Sequence, residues 1–224
     1  MKPHKSILVS FGSAVILLVG VATASITPAV VNEPEFESEW KFAVYLDDSQ
    51  IGHHNFHLAK HENSWLLTTD ADFKVKFLVF TAYRYQHSNR EVWRDNCLQE
   101  IESSTNANGT PFSVSGSRKD GGFTVETNKF RDDLGDCVKT FAYWDPEILN
   151  ESKLLNSQTG ELLPVRIDQA AEEMLTVKGQ ETPAVRYHLV AKGMELDIWY
   201  STDQRWLALE STTKGGRKLR YELT

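Results

Sequence analysis

The chain has 224 residues, a quarter of them charged, with 11% aromatic residues and a formal net charge of −7. Removing Lys2 and Lys5, which lie in an N-terminal leader, from the 24 basic residues leaves 22 against 31 acidic ones, a balance of −9. Such a surface repels nucleic acid and disfavours anionic lipid headgroups as bulk partners, while the length suits one large domain with a substantial core.

Residues 1–24 read as a signal peptide. Lys2 and Lys5 precede the apolar run Ile7 to Ala22, and Ala22-Thr23-Ala24 puts small residues at the two positions a signal peptidase inspects. The competing reading is an uncleaved anchor, although the run of about 16 residues falls short of the roughly 20 that a spanning helix wants. A periplasmic or secreted location follows, and the only membrane contact would be through this segment if it is kept. Residues 25–38, with Pro28, Pro34 and three glutamates, read as a disordered lead-in. Residues 39–224 form the expected single β domain.

Trp40, Phe42, Val44 and Leu46 alternate along the first strand, Asp47-Asp48-Ser49-Gln50 supplies a turn, and Ile51 to Lys60 returns. Strands follow over Trp65 to Thr69, Phe73 to Val79, Ser88 to Arg94, Leu98 to Asn106, Phe112 to Lys119 and Gly122 to Asn128. Asn108-Gly109 and Asp120-Gly121 are hairpin signals. Asp145-Pro146 places an N-cap before a proline and predicts a short helix ending by Asn156. Beyond Gly160 the strand candidates are Leu163 to Ile167, Met174 to Lys178, Ala184 to Ala191, Glu195 to Ser201, Trp206 to Thr212 and Leu219 to Leu223. About a dozen strands with tight connections and no β-α-β alternation predict a mainly β fold, a large curved antiparallel sheet or open barrel with one short helix.

Cys97 and Cys137 predict a single disulfide in an oxidising compartment, the alternative being two separate thiols. Its loop of about 40 residues would restrict the unfolded chain by about 3 to 4 kcal/mol.

Several short motifs, in order, carry a resemblance that spans nearly the whole mature chain. They are Ile51-Gly52-His53-His54 after the first aromatic strand, W-R-D-N-C-L at Trp93 to Leu98, T-N-A-N-G at Thr105 to Gly109, F-A-Y-W-D-P at Phe141 to Pro146, L-L-N-S-Q-T-G at Leu154 to Gly160 and D-I-W-Y at Asp197 to Tyr200. Together they resemble domain of unknown function 6134, a family of exported bacterial proteins. The resemblance implies a β-rich exported domain and a bacterial source, and it carries over no functional residue.

Chemistry is therefore sought residue by residue. On a strand, His53, Asn55 and His57 share one face and His54 and Phe56 the other; two histidines on one face could hold a metal, but a zinc site needs three or four converging ligands, and the plain reading is a polar outer face. Neither a metal nor a cofactor is expected. No G-x-S-x-G elbow occurs, and the acid pairs Asp70 with Asp72, Asp132 with Asp133 and Glu195 with Asp197 read as solvated, so no catalytic residue is assigned. Aromatics offer more. A curved sheet could gather Trp65, Phe77, Tyr83, Trp93 and Trp199 on one concave surface that receives an apolar small molecule, with Arg84, Arg90 or Lys76 meeting an acidic headgroup at the rim. Trp199 and Trp206 are also expected to touch across their hairpin. The leading expectation is an exported, non-catalytic binding protein for a lipid-like ligand. The alternatives are a structural or interaction domain whose aromatics are ordinary core and, behind it, a hydrolase.

Overall fold

Burial follows the period of two that a half-covered strand imposes. On β1 (Phe36–Leu46) Phe42 and Val44 are buried while Lys41 is exposed. On β3 (Ser64–Phe77) Leu67, Ala71 and Phe73 are buried while Asp70 is exposed. The computed structural model describes residues 36–77 and 80–224, with the side chains of 77 and 80 also left undescribed, and all lie in one compact unit, Glu33–Thr224. The leader read at 1–24 lies outside the described residues. Phe36, Glu37 and Ser38, read as part of the lead-in, are instead in β1 and face Lys60, Ala59 and Leu58 of β2 (Ser49–His61). No helix among the described residues is long and apolar enough to cross a membrane.

The remaining strands are β4 (Phe80–Arg94), β5 (Cys97–Ala107), β6 (Thr110–Lys119), β7 (Gly122–Thr127), β8 (Arg131–Leu134), β9 (Lys153–Leu155), β10 (Leu162–Val177), β11 (Gln180–Ala191), β12 (Met194–Ser201), β13 (Trp206–Thr212) and β14 (Lys218–Leu223). All fourteen form one antiparallel sheet in the order β8-β7-β6-β5-β4-β3-β2-β1-β14-β13-β12-β11-β10-β9. Adjacent strands are sequence neighbours everywhere except at the centre, where β1 meets β14, and β8 and β9, consecutive in the chain, form the two edges. The fold is thus the expected curved antiparallel sheet.

Two-residue turns enforce the meander. Asn108-Gly109 and Asp120-Gly121 both take positive φ at each position, the conformation whose twist matches a hairpin. Asp95-Asn96 and Lys178-Gly179 do the same with less diagnostic residues. Three expectations are corrected. Residues 65–77 are one strand, because Asp70 and Asp72 turn outward without breaking the ladder. Residues 162–177 are likewise one strand, with a bulge between Gln169 and Ala171 absorbing the break in alternation. The helix is a single 3-10 turn, Pro146–Asn150, capped by the Asp145 carboxylate, and β9 follows where the helix was to continue.

Curvature brings the β9 edge back toward β5 and β7. The backbone N–H of Leu155 donates to Lys139 and that of Leu98 to Val138, so residues 138–139 bridge β9 and β5. Gly160, at a φ of +74°, sits so close to β7 that a Cβ there would lie 2.4 Å from the Thr127 methyl. On the inner face Phe42, Phe56 and Trp206 form an aromatic block, with ring centroids 4.4 and 4.9 Å from Trp206.

Candidate functional site

The segment between β8 and the 3-10 turn packs on the inner face of the sheet and gives it a second wall. It is tied at its start by the disulfide Cys97–Cys137, with Cα atoms 5.1 Å apart. Val138 and Ala142 join the core, and Lys139 and Asp145 form a buried ion pair at 3.1 Å. The Tyr200 hydroxyl holds the far end by donating to the carbonyl of Tyr143 at 2.8 Å. Burial pushes both the Tyr143 and Tyr200 phenols up, so each stays a neutral donor.

Between this segment and the inner faces of β2–β4 and β12–β14 lies a cavity of about 640 Å³. Leu46, Ile51, Val75, Tyr83, Leu219 and Thr213 surround its outer part, next to the turns after β1 and β13 and the last residues of β3. Phe73 and Tyr85 stack at 5.2 Å between ring centroids along one wall.

Deeper in, the lining changes character. Inward positions of β2–β4 supply His54, Thr69, His87, Asn89 and Glu91, all lining the cavity. Thr69 stands directly opposite Asn89, and Ala71 stands between His54 and His87 in the next row. Glu91, 1% exposed, accepts from Asn89 at 2.8 Å, from the Trp93 indole at 2.8 Å and from the Thr140 hydroxyl at 3.1 Å. His87 Nδ1 lies 2.7 Å from Thr105 Oγ1, and His54 Nδ1 lies 3.3 Å from the Tyr221 hydroxyl. Four buried polar atoms of lining residues have no partner among the described residues: His54 Nε2, Thr69 Oγ1, Asn89 Oδ1 and Trp144 Nε1.

Burial sets the charge of this belt. It lowers His54 to about 3, helped by repulsion from His87 and His53, and lowers His87 to about 4. It raises the Glu91 carboxyl, against the pull of its three hydrogen-bond donors. The Tyr85 and Tyr221 phenols are pushed up, again by burial first. Among the described lining residues there is no Lys or Arg. The wall is apolar outside, hydrogen-bonding and free of cationic side chains inside.

Of the residues expected to line the concave surface, Tyr83 does so. Trp65 and Trp93 also point inward, but beyond the belt, where they line a recess of about 570 Å³ at the opposite end of the sheet with Lys60, Arg94 and Trp144. The side chain of Phe77 lies outside the described residues. Trp199 is corrected. It faces outward, donating to Glu173 at 2.6 Å beneath the Arg186 guanidinium. It does not meet Trp206, because Trp199 pairs with Ala208 while Trp206 stands opposite Tyr200 and is buried on the inner face. None of the three expected rim cations lines the cavity: Lys76 is exposed, Arg84 pairs with Asp72 at 3.6 Å and Arg90 with Glu100 at 3.8 Å.

His53 and His57 share the outer face as expected, near Asp70 at 3.1 Å and Glu37 at 3.8 Å. Among the described residues no three His, Cys, Asp or Glu side chains form a group that could hold a metal. Asp132 and Asp133 are exposed; Asp72 and Asp197 are engaged in outer-face ion pairs. None of the three acid pairs lines the cavity.

Sequence reasoning missed the polar belt, although a signal was present. Tyr83, Tyr85 and Trp93 share one parity on β4, and that parity assigns His87, Asn89 and Glu91 to the same face.

Residues 42–224 match the domain of unknown function DUF6134, and the chain belongs to that family. No match is found among curated proteins. In structure the chain is similar to a β-barrel-like protein of domain of unknown function DUF1849 from Brucella abortus, with a TM-score of 0.61 and 8% identity over 83% of this chain and 94% of that one. At that identity the likeness shows the fold alone.

Proposed function

We propose that this DUF6134 protein works outside the cytoplasm as a non-catalytic binding protein that takes the apolar part of a lipid-like molecule into the cavity between the sheet and residues 138–144. The cavity carries the reading. Protein interiors are close-packed, with few voids larger than a water molecule, whereas about 640 Å³ lies within the range of small-molecule sites. A structural or interaction domain has no physical need to hold such a space open against collapse. The Cys97–Cys137 bond and the Lys2-Lys5 leader support an oxidising, exported setting.

Apolar burial supplies about 0.8 kcal/mol per methylene, or about fourfold in affinity. The test is displacement of the uncharged fluorophore N-phenyl-1-naphthylamine by alcohols of increasing length. Affinity is expected to climb about fourfold per methylene and level off once the cavity is filled. Probe fluorescence that never changes on adding protein would refute ligand binding.

A further inference from the structure

We infer that the occupant carries an uncharged head able both to donate and to accept hydrogen bonds, a hydroxyl or a carboxamide, which docks on the belt of Thr69, Asn89, His54 and Trp144 with its chain directed toward the mouth. This deepens the binding reading above and rests on it.

The unpartnered atoms define the complement. Asn89 Oδ1 only accepts and Trp144 Nε1 only donates, whereas Thr69 Oγ1 and His54 Nε2 can do either. Thr69 and Asn89 are each 7% exposed and face each other across β3 and β4, so both can reach one small group. The small side chain of Ala71, in the row beside them, lets the His54 and His87 rings meet edge to face with centroids 6.4 Å apart, so the two imidazoles bound the belt on one side. An unsatisfied buried polar atom costs about 1 to 3 kcal/mol, and a head that partners both kinds of atom recovers that cost.

Charged heads fit poorly for separate reasons. A carboxylate offers no donor to Asn89 Oδ1, would lie beside the Glu91 carboxyl, and finds no Lys or Arg among the described lining residues to offset its desolvation. An ammonium offers no acceptor to Trp144 Nε1. Glu91 already accepts from Asn89, Trp93 and Thr140, three of the roughly four hydrogen bonds a carboxylate can take, and burial pushes its carboxyl toward the neutral acid, which makes it a poor counter-ion for an ammonium. The neutral histidines agree with this reading, since burial keeps both from charging to meet an acid.

The experiment uses the disulfide-bonded mature chain with bound N-phenyl-1-naphthylamine, displaced at pH 8 by four ten-carbon amphiphiles: decanol, decanamide, decanoate and decylammonium. Decanol and decanamide are expected to bind at least about tenfold more tightly than the two ions, and the nearly isosteric Thr69→Val protein, with the probe's own affinity measured on it separately, is expected to lose several-fold affinity for decanol. Equal affinity for all four heads, or preference for either ion, overturns the inference while leaving cavity binding intact. Failure of the probe and of every amphiphile to bind overturns the binding reading itself. The comparison of heads on the unaltered protein needs no variant, so it stands even if Thr69→Val folds poorly.

Discussion

His53 and His54 are chain neighbours with opposite fates. His53 points outward and lies 3.1 Å from the exposed Asp70 carboxylate, in water's reach. His54 points inward, stacks on Phe56 at 4.1 Å and is held neutral by burial. The same division runs across β2–β4: the outer face carries Asp70, Asp72, Arg84 and Arg90, while the inner face carries Thr69, His87, Asn89 and Glu91. The sheet therefore sorts polarity into two kinds, solvent-exposed ion pairs outside and buried hydrogen-bonding groups inside. A water-exposed pair is worth little because solvent already screens it, whereas a buried polar group must find a partner or exact its full desolvation cost.

The sharpest test sets the inner tryptophan against the outer one. Trp93→Ala, at a side chain 1% exposed, should cost about 3 to 5 kcal/mol in denaturant unfolding, and Trp199→Ala less than about 1. Equal costs would break the division between faces.

The inner wall contributed by residues 138–144 depends on its anchor. Replacing Cys97 and Cys137 together by Ser should cost about 2 to 4 kcal/mol on the same measurement, since their bond closes a 40-residue separation. The variant should also weaken binding of the uncharged probe, because the wall then keeps the single backbone hydrogen bond from Leu98 to Val138 and its core packing as its ties to β5. A variant with unchanged stability would show that the wall needs no tether.

Acid should act on the inner face. The folded-state values of about 3 for His54 and about 4 for His87 lie below the unfolded value of roughly 6.5. The unfolded chain thus binds more protons as pH falls below that value, and stability falls with it, by about 2 kcal/mol per histidine between pH 6.5 and 5. Glu91 works the other way, because its raised value lets the folded state keep a proton that the unfolded chain releases above about 4.5. Glu91→Gln removes that offset, so its loss of stability from pH 7 to pH 5 should exceed that of the unaltered protein. Identical pH profiles for the two would contradict the assignment.

Smallest of all should be the outer face. His53→Ala and Asp70→Asn should each change stability by no more than about 0.5 kcal/mol, less still in high salt. A larger effect would mean that the outer pairs are coupled to the fold.

Strand existence was legible in the sequence wherever alternation was clean, as at Trp40 to Leu46 and Trp206 to Thr212. Strand continuity was harder to read, as across Asp70 to Asp72 and across the Gln169–Ala171 bulge, because outward acids and an extra residue imitate a turn. The site was least legible. Tyr83 was found because aromatics mark an inner face, and Trp199 was misplaced for the same reason: its packing partner is an outer-face arginine, which no local pattern reveals. Residue type alone does not mark Asn89 and Glu91 as buried, since a buried polar group differs from an exposed one only in what surrounds it.

By itself the sequence determined the period-two elements, the Asn108-Gly109 and Asp120-Gly121 turns and the pairing of two cysteines, all of which rest on local backbone preference or on there being only two sulfurs to join. Only the tertiary structure decided that β1 closes on β14, that residues 138–144 wall a cavity, and that the odd positions of β4 turn their polar groups into it. Each of those depends on contacts between residues tens or hundreds of positions apart, and alternation along a strand fixes that two faces exist without saying which one the rest of the chain will cover.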